Sequence, residues 1–177
     1  CKPDLIIETG IAWGGSIVFY ASLMQLYGKG NVVAVDLNLH DHVAQQIMSY
    51  PFSDRIHLYK GSSTDPAVFE KIKSHLRPRS SVMVLLDSNH THQHVLDELR
   101  LYAPLVTKGQ FLVVSDTIVE DIPAQTHRPR PWGPGDNPKT ALNAYLKETS
   151  RFERDSYINS KSLLTYSPDG YLRCIKD

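Results

Sequence analysis

The chain has 177 residues, enough for one domain with a hydrophobic core and too few for two domains of ordinary size. Hydrophobic residues make up 41% of the chain and charged residues 21%, which excludes disordered, fibrous and disulfide-scaffold proteins. Because 19 basic residues balance 19 acidic ones and no apolar stretch approaches the roughly 20 residues of a membrane span, we expect a small-molecule partner, no nucleic acid and no membrane span.

The two cysteines and the first residues indicate the setting of the protein. Cys1 and Cys174 cannot form a disulfide framework, and they lack the spacing of metal ligands. We therefore expect a reducing, cytoplasmic location. The sequence starts without Met, and an apolar segment begins by Leu5, so we also expect that upstream residues are missing from this chain.

Short apolar runs alternate with segments of helical spacing, a pattern typical of parallel strands joined by crossover helices. The predicted strands cover residues 4–8, 31–37, 55–60, 81–86 and 109–114, and the predicted helices between them cover residues 17–27, 43–48, 66–76 and 91–102. Near-continuous apolar strands such as 31–37 indicate burial on both faces. Asp65 is expected to cap the helix that begins at Pro66.

The C-terminal part departs from this alternation. Five prolines between residues 118 and 138 exclude a regular element there and predict a substrate-binding or lid loop. A helix over 139–148 follows, then strand-like segments at 151–157, 163–166 and 171–175, the last two joined by a hairpin turn at 167–170. The sequence thus predicts one α/β domain over residues 1–177, doubly wound and Rossmann-like, with a seven-stranded, mostly parallel sheet and a C-terminal antiparallel strand.

Polar residues follow the predicted strands at the edge where open α/β sheets bind ligands. They are Glu8, Asp36, Ser62, Ser63, Asp87 and Asp116. The loop from Glu8 to Ser16 contains Gly10 and Gly14, which would let a ligand approach the backbone at a helix N-terminus. It lacks the G-x-G-x-x-G spacing of dinucleotide sites, and Glu8 would repel a phosphate but suit an amino group. The alternative is a turn that only connects strand and helix.

Asp36 is placed to accept hydrogen bonds from a ribose diol, and its alternative role is that of a helix N-cap. Together with the glycine loop and the 61–65 segment, it outlines an adenosine pocket. This combination resembles a class I S-adenosylmethionine-dependent methyltransferase. The segments 87–95, 98–99, 102–106, 109–117, 132–135 and 141–146 narrow the resemblance to the cephalosporin hydroxylase and rhamnosyl O-methyltransferase family.

The resemblance implies methyl transfer from S-adenosylmethionine to a hydroxyl of a sugar-containing or secondary-metabolite acceptor, assisted by Mg²⁺. It also implies helices before the first strand, which can cover the site and mediate assembly into a homo-oligomer. The implied cofactor-binding residues are Glu8, Gly10, Gly14, Ser16, Asp36, Ser62, Ser63 and Asp87. The implied metal ligands are Asp87, Asp116 and Thr117, although Ser115 stands where the family commonly has Glu.

His90 is the predicted catalytic base, acting beside Asp87, because an imidazole titrates near neutral pH. Alternatively, His90 bonds backbone at the start of a helix, or Asp87, His90 and His94 ligate zinc or iron. We expect His92 and His94 to be surface or supporting groups.

The proline-rich loop carries a basic and aromatic cluster formed by His127, Arg128, Arg130 and Trp132. These side chains either line a substrate site or belong to a solvated loop with Trp132 in the core. Three other functions stay open at this point. They are a metal-dependent hydroxylase, a nicotinamide-dependent oxidoreductase of the NAD type and a catalytically silent cofactor-binding domain.

Overall fold

The structure is a computed structural model that describes residues 1–124, 127–162 and 164–177. Across these residues the strands form a seven-stranded mixed sheet, mostly parallel with antiparallel C-terminal strands, and helices alternate with the strands. This confirms the predicted fold class. The chain divides into two compact units, residues 1–83 and residues 84–177, and each is described by itself. No helix within the described ranges is both long and apolar enough to cross a membrane.

The first unit contains three parallel strands in the order β3-β2-β1. Its elements are β1 (Leu5–Thr9), α1 (Gly15–Tyr27), β2 (Asn31–Asp36), α2 (Asp41–Met48), a 3₁₀ turn (Ser53–Arg55), β3 (Ile56–Lys60) and α3 (Pro66–Lys73). Every residue of β1 is buried, as is the apolar centre of β2, because both faces of these strands are covered. The register pairs Glu8 with Ala34 and Asp36 with Lys60, so the polar strand ends lie at one edge.

Local signals set the helix ends in this unit. Asp65 Oδ1 accepts hydrogen bonds from the backbone N–H groups of Ala67 and Val68, which confirms the predicted cap of α3. Gly28 ends α1 in the left-handed conformation with φ 75°, which an L side chain adopts only at a cost.

The second unit begins within β4 and carries the rest of the sheet in the order β4-β5-β7-β6. Its elements are β4 (Val82–Leu86), α4 (His92–Tyr102), β5 (Phe111–Val114), α5 (Pro138–Glu148), β6 (Phe152–Arg154), α6 (Ser156–Lys161) and β7 (Tyr171–Cys174), with 3₁₀ turns at Ala103–Leu105 and Thr117–Glu120. Strands β4 and β5 are parallel, whereas β7 is antiparallel to both β5 and β6. Cys174 is buried in β7.

The predicted strand over 151–157 is wrong beyond Arg154, because helix α6 begins at Ser156. Asp155 caps that helix by accepting a hydrogen bond from the Ile158 N–H. The predicted strand over 163–166 begins at Leu163, which lies outside the described residues, and 164–166 form no strand. Leu164 is 95% exposed, so burial does not stabilise an extended conformation there.

The turn at 167–170 is present, with the Gly170 N–H donating to the Ser167 carbonyl at 2.9 Å. The predicted hairpin is nevertheless wrong, because this turn leads into β7, whose partners are β5 and β6. The proline-rich segment 118–138 includes residues 125 and 126, which lie outside the described residues. Its last residue, Pro138, opens α5, where the missing N–H costs nothing.

Candidate active site

The loop between β1 and α1 needs glycine for two separate reasons. Gly10 and Gly14 have φ values of 90° and 77°, in the left-handed region. A Cβ on Gly14 would also lie 2.3 Å from Ile47 Cδ1, a distance that real Cβ atoms essentially never show. The backbone of this loop is therefore held in a shape that other residues would distort.

Two predicted cofactor-binding residues meet in this loop. The Ser16 hydroxyl donates to Glu8 Oε1 at 2.6 Å, and the Glu8 side chain is buried. A buried carboxylate is costly unless it is hydrogen-bonded, so this contact fixes the orientation of Glu8. The arrangement leaves an acidic group at the start of the glycine loop.

Asp36 braces the same loop, which the sequence did not predict. Its Oδ2 accepts hydrogen bonds from the N–H groups of Ile11 at 2.8 Å and Ala12 at 3.1 Å, and its Oδ1 accepts from Asn38 N–H at 2.7 Å. The alternative role of Asp36 as a helix N-cap is wrong, because His40 occupies that position of α2. A carboxylate has about four acceptor positions, so a ribose diol could still be accommodated and that role stays a prediction.

The loop after β3 carries the predicted adenine contacts. Ser62 Oγ is hydrogen-bonded to Thr64 Oγ1 at 3.0 Å, and Ser63 is buried. Gly61 has φ 151°, and a Cβ there would lie 2.8 Å from Val68 Cγ2, so the chain leaves β3 in a conformation that favours glycine. The structure thus places both serines on a well-defined turn.

In the second unit, the ligand atoms of Asp87, His90 and Asp116 lie within 4.8 Å of one another, which we call the acidic cluster. Asp87 follows β4 directly, and Asp116 lies two residues after β5, so parallel strands bring the two carboxylates to one edge. His90 Nε2 is 2.5 Å from Asp116 Oδ2 and 3.7 Å from Asp87 Oδ1. Asp116 has φ 53°, in the left-handed region.

The electrostatics of the acidic cluster favour a positive partner. Burial and then the neighbouring charge of Asp116 raise the pKa of Asp87 to about 6, against the opposing effect of His90. A cation between the two carboxylates would offset the repulsion that Asp116 exerts on the ionised form of Asp87. The donor set, two carboxylates with one imidazole, is one that divalent metals accept.

The structure decides between the alternatives for the histidines. His90 bonds a carboxylate rather than backbone, so its interpretation as a helix-start group is wrong. His94 Nε2 lies 3.2 Å from Ser88 Oγ and 3.6 Å from Glu98 Oε1. Among the described residues, the group whose ligand atoms are close enough to share a metal is Asp87, His90 and Asp116, without His94. The set Asp87, His90 and His94 is therefore wrong.

The Thr117 hydroxyl makes a hydrogen bond of its own, and its role as a metal ligand stays a prediction. Its side chain is fully buried, and Oγ1 donates to the Pro168 carbonyl at 2.6 Å. His90, the predicted base, has its ligand atom within 4.8 Å of those of the two carboxylates. A hydroxyl used in this way ties the end of β5 to the turn before β7.

A cavity of about 800 Å³ opens beside the acidic cluster. Its polar lining includes His90, Asp116, Arg128 and Arg130, and its apolar lining includes Ile118, Val119, Ile122, Trp132, Leu164 and Tyr166. Trp132 is half-buried and stacks on His90, with ring centroids 4.8 Å apart, so the alternative that places Trp132 in the core is wrong. His127 is not part of the lining.

Sequence reasoning missed a buried carboxylate behind the acidic cluster. Glu98 on α4 is fully buried, and Ser88 Oγ donates to its Oε1 at 2.7 Å. Its Oε2 has no hydrogen-bond partner among the residues that the structure describes. The sequence could have indicated this burial, because Glu98 falls on the apolar face of α4 beside Val95, Leu99 and Tyr102.

Curated relatives match nearly the whole chain. A Rhamnosyl O-methyltransferase of Mycobacterium tuberculosis (strain ATCC 25618 / H37Rv) is 33% identical over 174 residues, covering 97% of this chain and 67% of the relative. A Rhamnosyl O-methyltransferase of Mycobacterium leprae is 32% identical over 176 residues, covering 97% of this chain and 71% of the relative. The chain thus spans about two thirds of the length of these proteins, whose activity agrees with the predicted enzyme class, an O-methyltransferase.

Solved structures support the fold. An O-methyltransferase from Bacillus cereus in complex with SAH has a TM-score of 0.62 and 15% identity, covering 99% of this chain and 75% of that one. The MycE methyltransferase in complex with Mg, SAH and mycinamycin VI has a TM-score of 0.56 and 17% identity, covering 99% of this chain and 45% of that one.

The Rhamnosyl O-methyltransferase/CmcI family matches residues 1–175, so the chain belongs to that family, as the sequence resemblance predicts.

Proposed function

We propose that this chain transfers the methyl group of S-adenosylmethionine to a hydroxyl oxygen of a sugar-containing or secondary-metabolite acceptor, and that Asp87 and Asp116 of the acidic cluster bind Mg²⁺ during the reaction while His90 acts as the base. The observation that carries the proposal is the convergence of Asp87, His90 and Asp116 within 4.8 Å beside a cavity. The curated relatives are named for rhamnosyl acceptors, and a fold neighbour is in complex with Mg, SAH and mycinamycin VI, which supports a small-molecule acceptor.

The first unit supplies the groups that we assign to S-adenosylmethionine. Glu8, buried and oriented by Ser16, suits the positive amino group of the methionine part. Asp36 suits the ribose diol, and it also fixes the glycine loop that the cofactor would contact. Ser62 and Ser63 are the proposed adenine contacts.

The acidic cluster fits a divalent cation because its carboxylate oxygens are the ligands that Mg²⁺ prefers. When bound, such a cation stabilises the negative charge that develops on a reacting hydroxyl. His90 is the proposed base: Nε2 can accept the hydroxyl proton in the tautomer that carries the ring hydrogen on Nδ1, and the imidazolium formed then donates its Nε2–H to Asp116 Oδ2, 2.5 Å away.

The cavity is suited to a small acceptor. Its volume lies in the range of small-molecule sites, about 300 to 1,000 Å³. Apolar walls with a few polar groups match a sugar-bearing molecule, because sugars present both C–H faces and hydroxyls. Arg128 offers the cationic contact that a carboxylate-bearing acceptor would use.

Calorimetry with S-adenosylhomocysteine and a methyl-transfer assay with rhamnosides as acceptors test this function. We expect binding of S-adenosylhomocysteine, and methyl transfer that is lost with a chelator and with Asp116→Ala. Asp54→Ala removes an exposed carboxylate and serves as the matched control. Binding of the cofactor product without transfer to any hydroxyl acceptor would favour a silent cofactor-binding domain. Transfer that survives both the chelator and Asp116→Ala would remove the metal from the mechanism.

A further inference from the structure

The orientation of His90 needs an explanation that the acidic cluster does not provide. Its side chain is 16% exposed, and its Nδ1 is buried without a hydrogen-bond partner among the described residues. In most functional histidines the second ring nitrogen makes a hydrogen bond that sets the ring orientation and the tautomer. No described residue supplies that hydrogen bond to His90 Nδ1, so the Nε2–Asp116 contact alone does not fix the plane of the ring.

The second contact of the ring is an aromatic stack with Trp132. The two ring centroids are 4.8 Å apart and the ring planes differ by 24°. The Arg130 guanidinium lies 5.2 Å from the indole centroid, so Trp132 is itself held by a cation–π contact. Stacking fixes the plane of the imidazole while leaving Nε2 directed at the carboxylates.

Trp132 opens a turn that is built as a rigid unit. The N–H of Gly133 donates to the carbonyl of Asp136 at 2.9 Å, and the N–H of Asp136 donates back to the carbonyl of Gly133 at 3.0 Å. Asn137 is fully buried, and its Nδ2 donates to the Gly133 carbonyl at 2.9 Å and to Glu120. The turn over residues 132–137 therefore has little freedom to move.

This turn is attached to the start of α4, two residues after His90. Asp136 Oδ1 accepts a hydrogen bond from the His92 N–H at 2.5 Å, and His92 Nδ1 lies 2.8 Å from Thr140 Oγ1 on α5. The carboxylate thus satisfies a free N–H group at a helix N-terminus, where negative charge is favoured. His90 and Trp132 are fixed to the same frame.

We infer that Trp132 is a positioning residue for His90, and that the hydrogen bond from the His92 N–H to the Asp136 carboxylate holds Trp132 in place. The inference rests on the proposed function only for the role of His90 as the base. The orientation of the imidazole by the stack with Trp132 is independent of the reaction.

Nuclear magnetic resonance of the full chain tests the geometry directly. In the wild type we expect nuclear Overhauser contacts between the His90 ring protons and the Trp132 indole, with His90→Gln used for assignment. The ring-current shift of the His90 signals should disappear in Trp132→Leu and in Asp136→Ala, and should persist in Trp132→Phe. Asp121→Ala is the matched control, because Asp121 pairs with Lys139 in the same segment. Absence of the wild-type contacts, or an unchanged His90 shift in Asp136→Ala, would overturn the inference.

Kinetics supply the second readout. We expect kcat to fall at least about tenfold in Trp132→Leu and Asp136→Ala, and by no more than the roughly 10²- to 10⁴-fold that general acid–base catalysis contributes as a whole, while the KM for S-adenosylmethionine is unchanged. Trp132→Phe should lose less of kcat than Trp132→Leu, because it keeps an aromatic ring beside His90. A protein that shows the predicted shifts but no methyl transfer supports the inference about geometry and contradicts the proposed function. A kcat that is unaffected in Trp132→Leu while the His90 shift is lost would contradict the positioning role.

Discussion

Replacing Asp36 by Ala should destabilise the chain as well as weaken cofactor binding. The carboxylate accepts three backbone N–H groups, from Ile11, Ala12 and Asn38. Two of these bonds are exposed, so water can replace the carboxylate there, whereas the Ile11 bond is partly buried. A hydrogen bond to a charged group contributes about 1.5 to 3 kcal/mol when shielded. If the hydrogen bond from Ile11 counts in full and the two exposed ones count only in small part, Asp36→Ala lowers the free energy of unfolding by about 2 kcal/mol.

Thermal unfolding followed by circular dichroism measures this effect. For a chain of this size, 1 kcal/mol corresponds to about 2 to 4 °C, so Asp36→Ala should lower the Tm by about 4 to 8 °C. Asp54→Asn removes one exposed charge without disturbing a loop and should leave the Tm nearly unchanged. If Asp36→Ala and the control unfold at the same temperature, the carboxylate does not brace the glycine loop and the reasoning from its contacts is wrong.

Two further predictions concern charge and backbone. Because the pKa of Asp87 is raised to about 6, a cation must displace a proton below that pH, and Mg²⁺ affinity measured by calorimetry should fall about tenfold per pH unit from pH 6 to 5 and level off above pH 7. In the metal-free protein the pKa of Asp87 is shifted upward, whereas that of a salt-bridged Asp is shifted downward, so the effect on stability is reversed. The contribution of Asp87 to the free energy of unfolding, measured in urea, should decrease as the pH rises from 4 through 6. A contribution that increases over that pH range would contradict the raised pKa. Gly14→Ala should destabilise the chain by more than about 1 kcal/mol, since its positive φ and the 2.3 Å approach to Ile47 both oppose a side chain, and an unchanged urea midpoint would refute this.

The parallel strands could be predicted from the sequence because burial on both faces leaves a continuous apolar run. Residues 31–36 and 82–86 show this pattern, and both form strands close to the predicted limits. The helix at Ser156 could not be recognised in the same way. It is short, buries no residue and depends on one Asp155 cap, so no apolar periodicity marks it.

The sequence could predict which residues form the candidate site, but not which of their side chains contact one another. Strand-end positions identified Asp87 and Asp116, because a parallel sheet brings such positions to one edge. The pairing of His90 with Asp116 rather than Asp87 depends on side-chain rotamers and on the stack with Trp132, which join residues 26 to 42 positions apart. Spacing along a chain contains no information about such contacts.

The backbone at Asp116 limits which substitutions this position can accept. A left-handed conformation costs most L residues roughly 1 to 2 kcal/mol, while Asn, Asp and Gly adopt it more readily. Asn and Gly satisfy the backbone but lose the negative charge, and Glu keeps the charge but incurs the strain. A saturation library at this position should therefore separate into variants that fold without the charge and variants that carry it at reduced stability, with Asp alone meeting both demands.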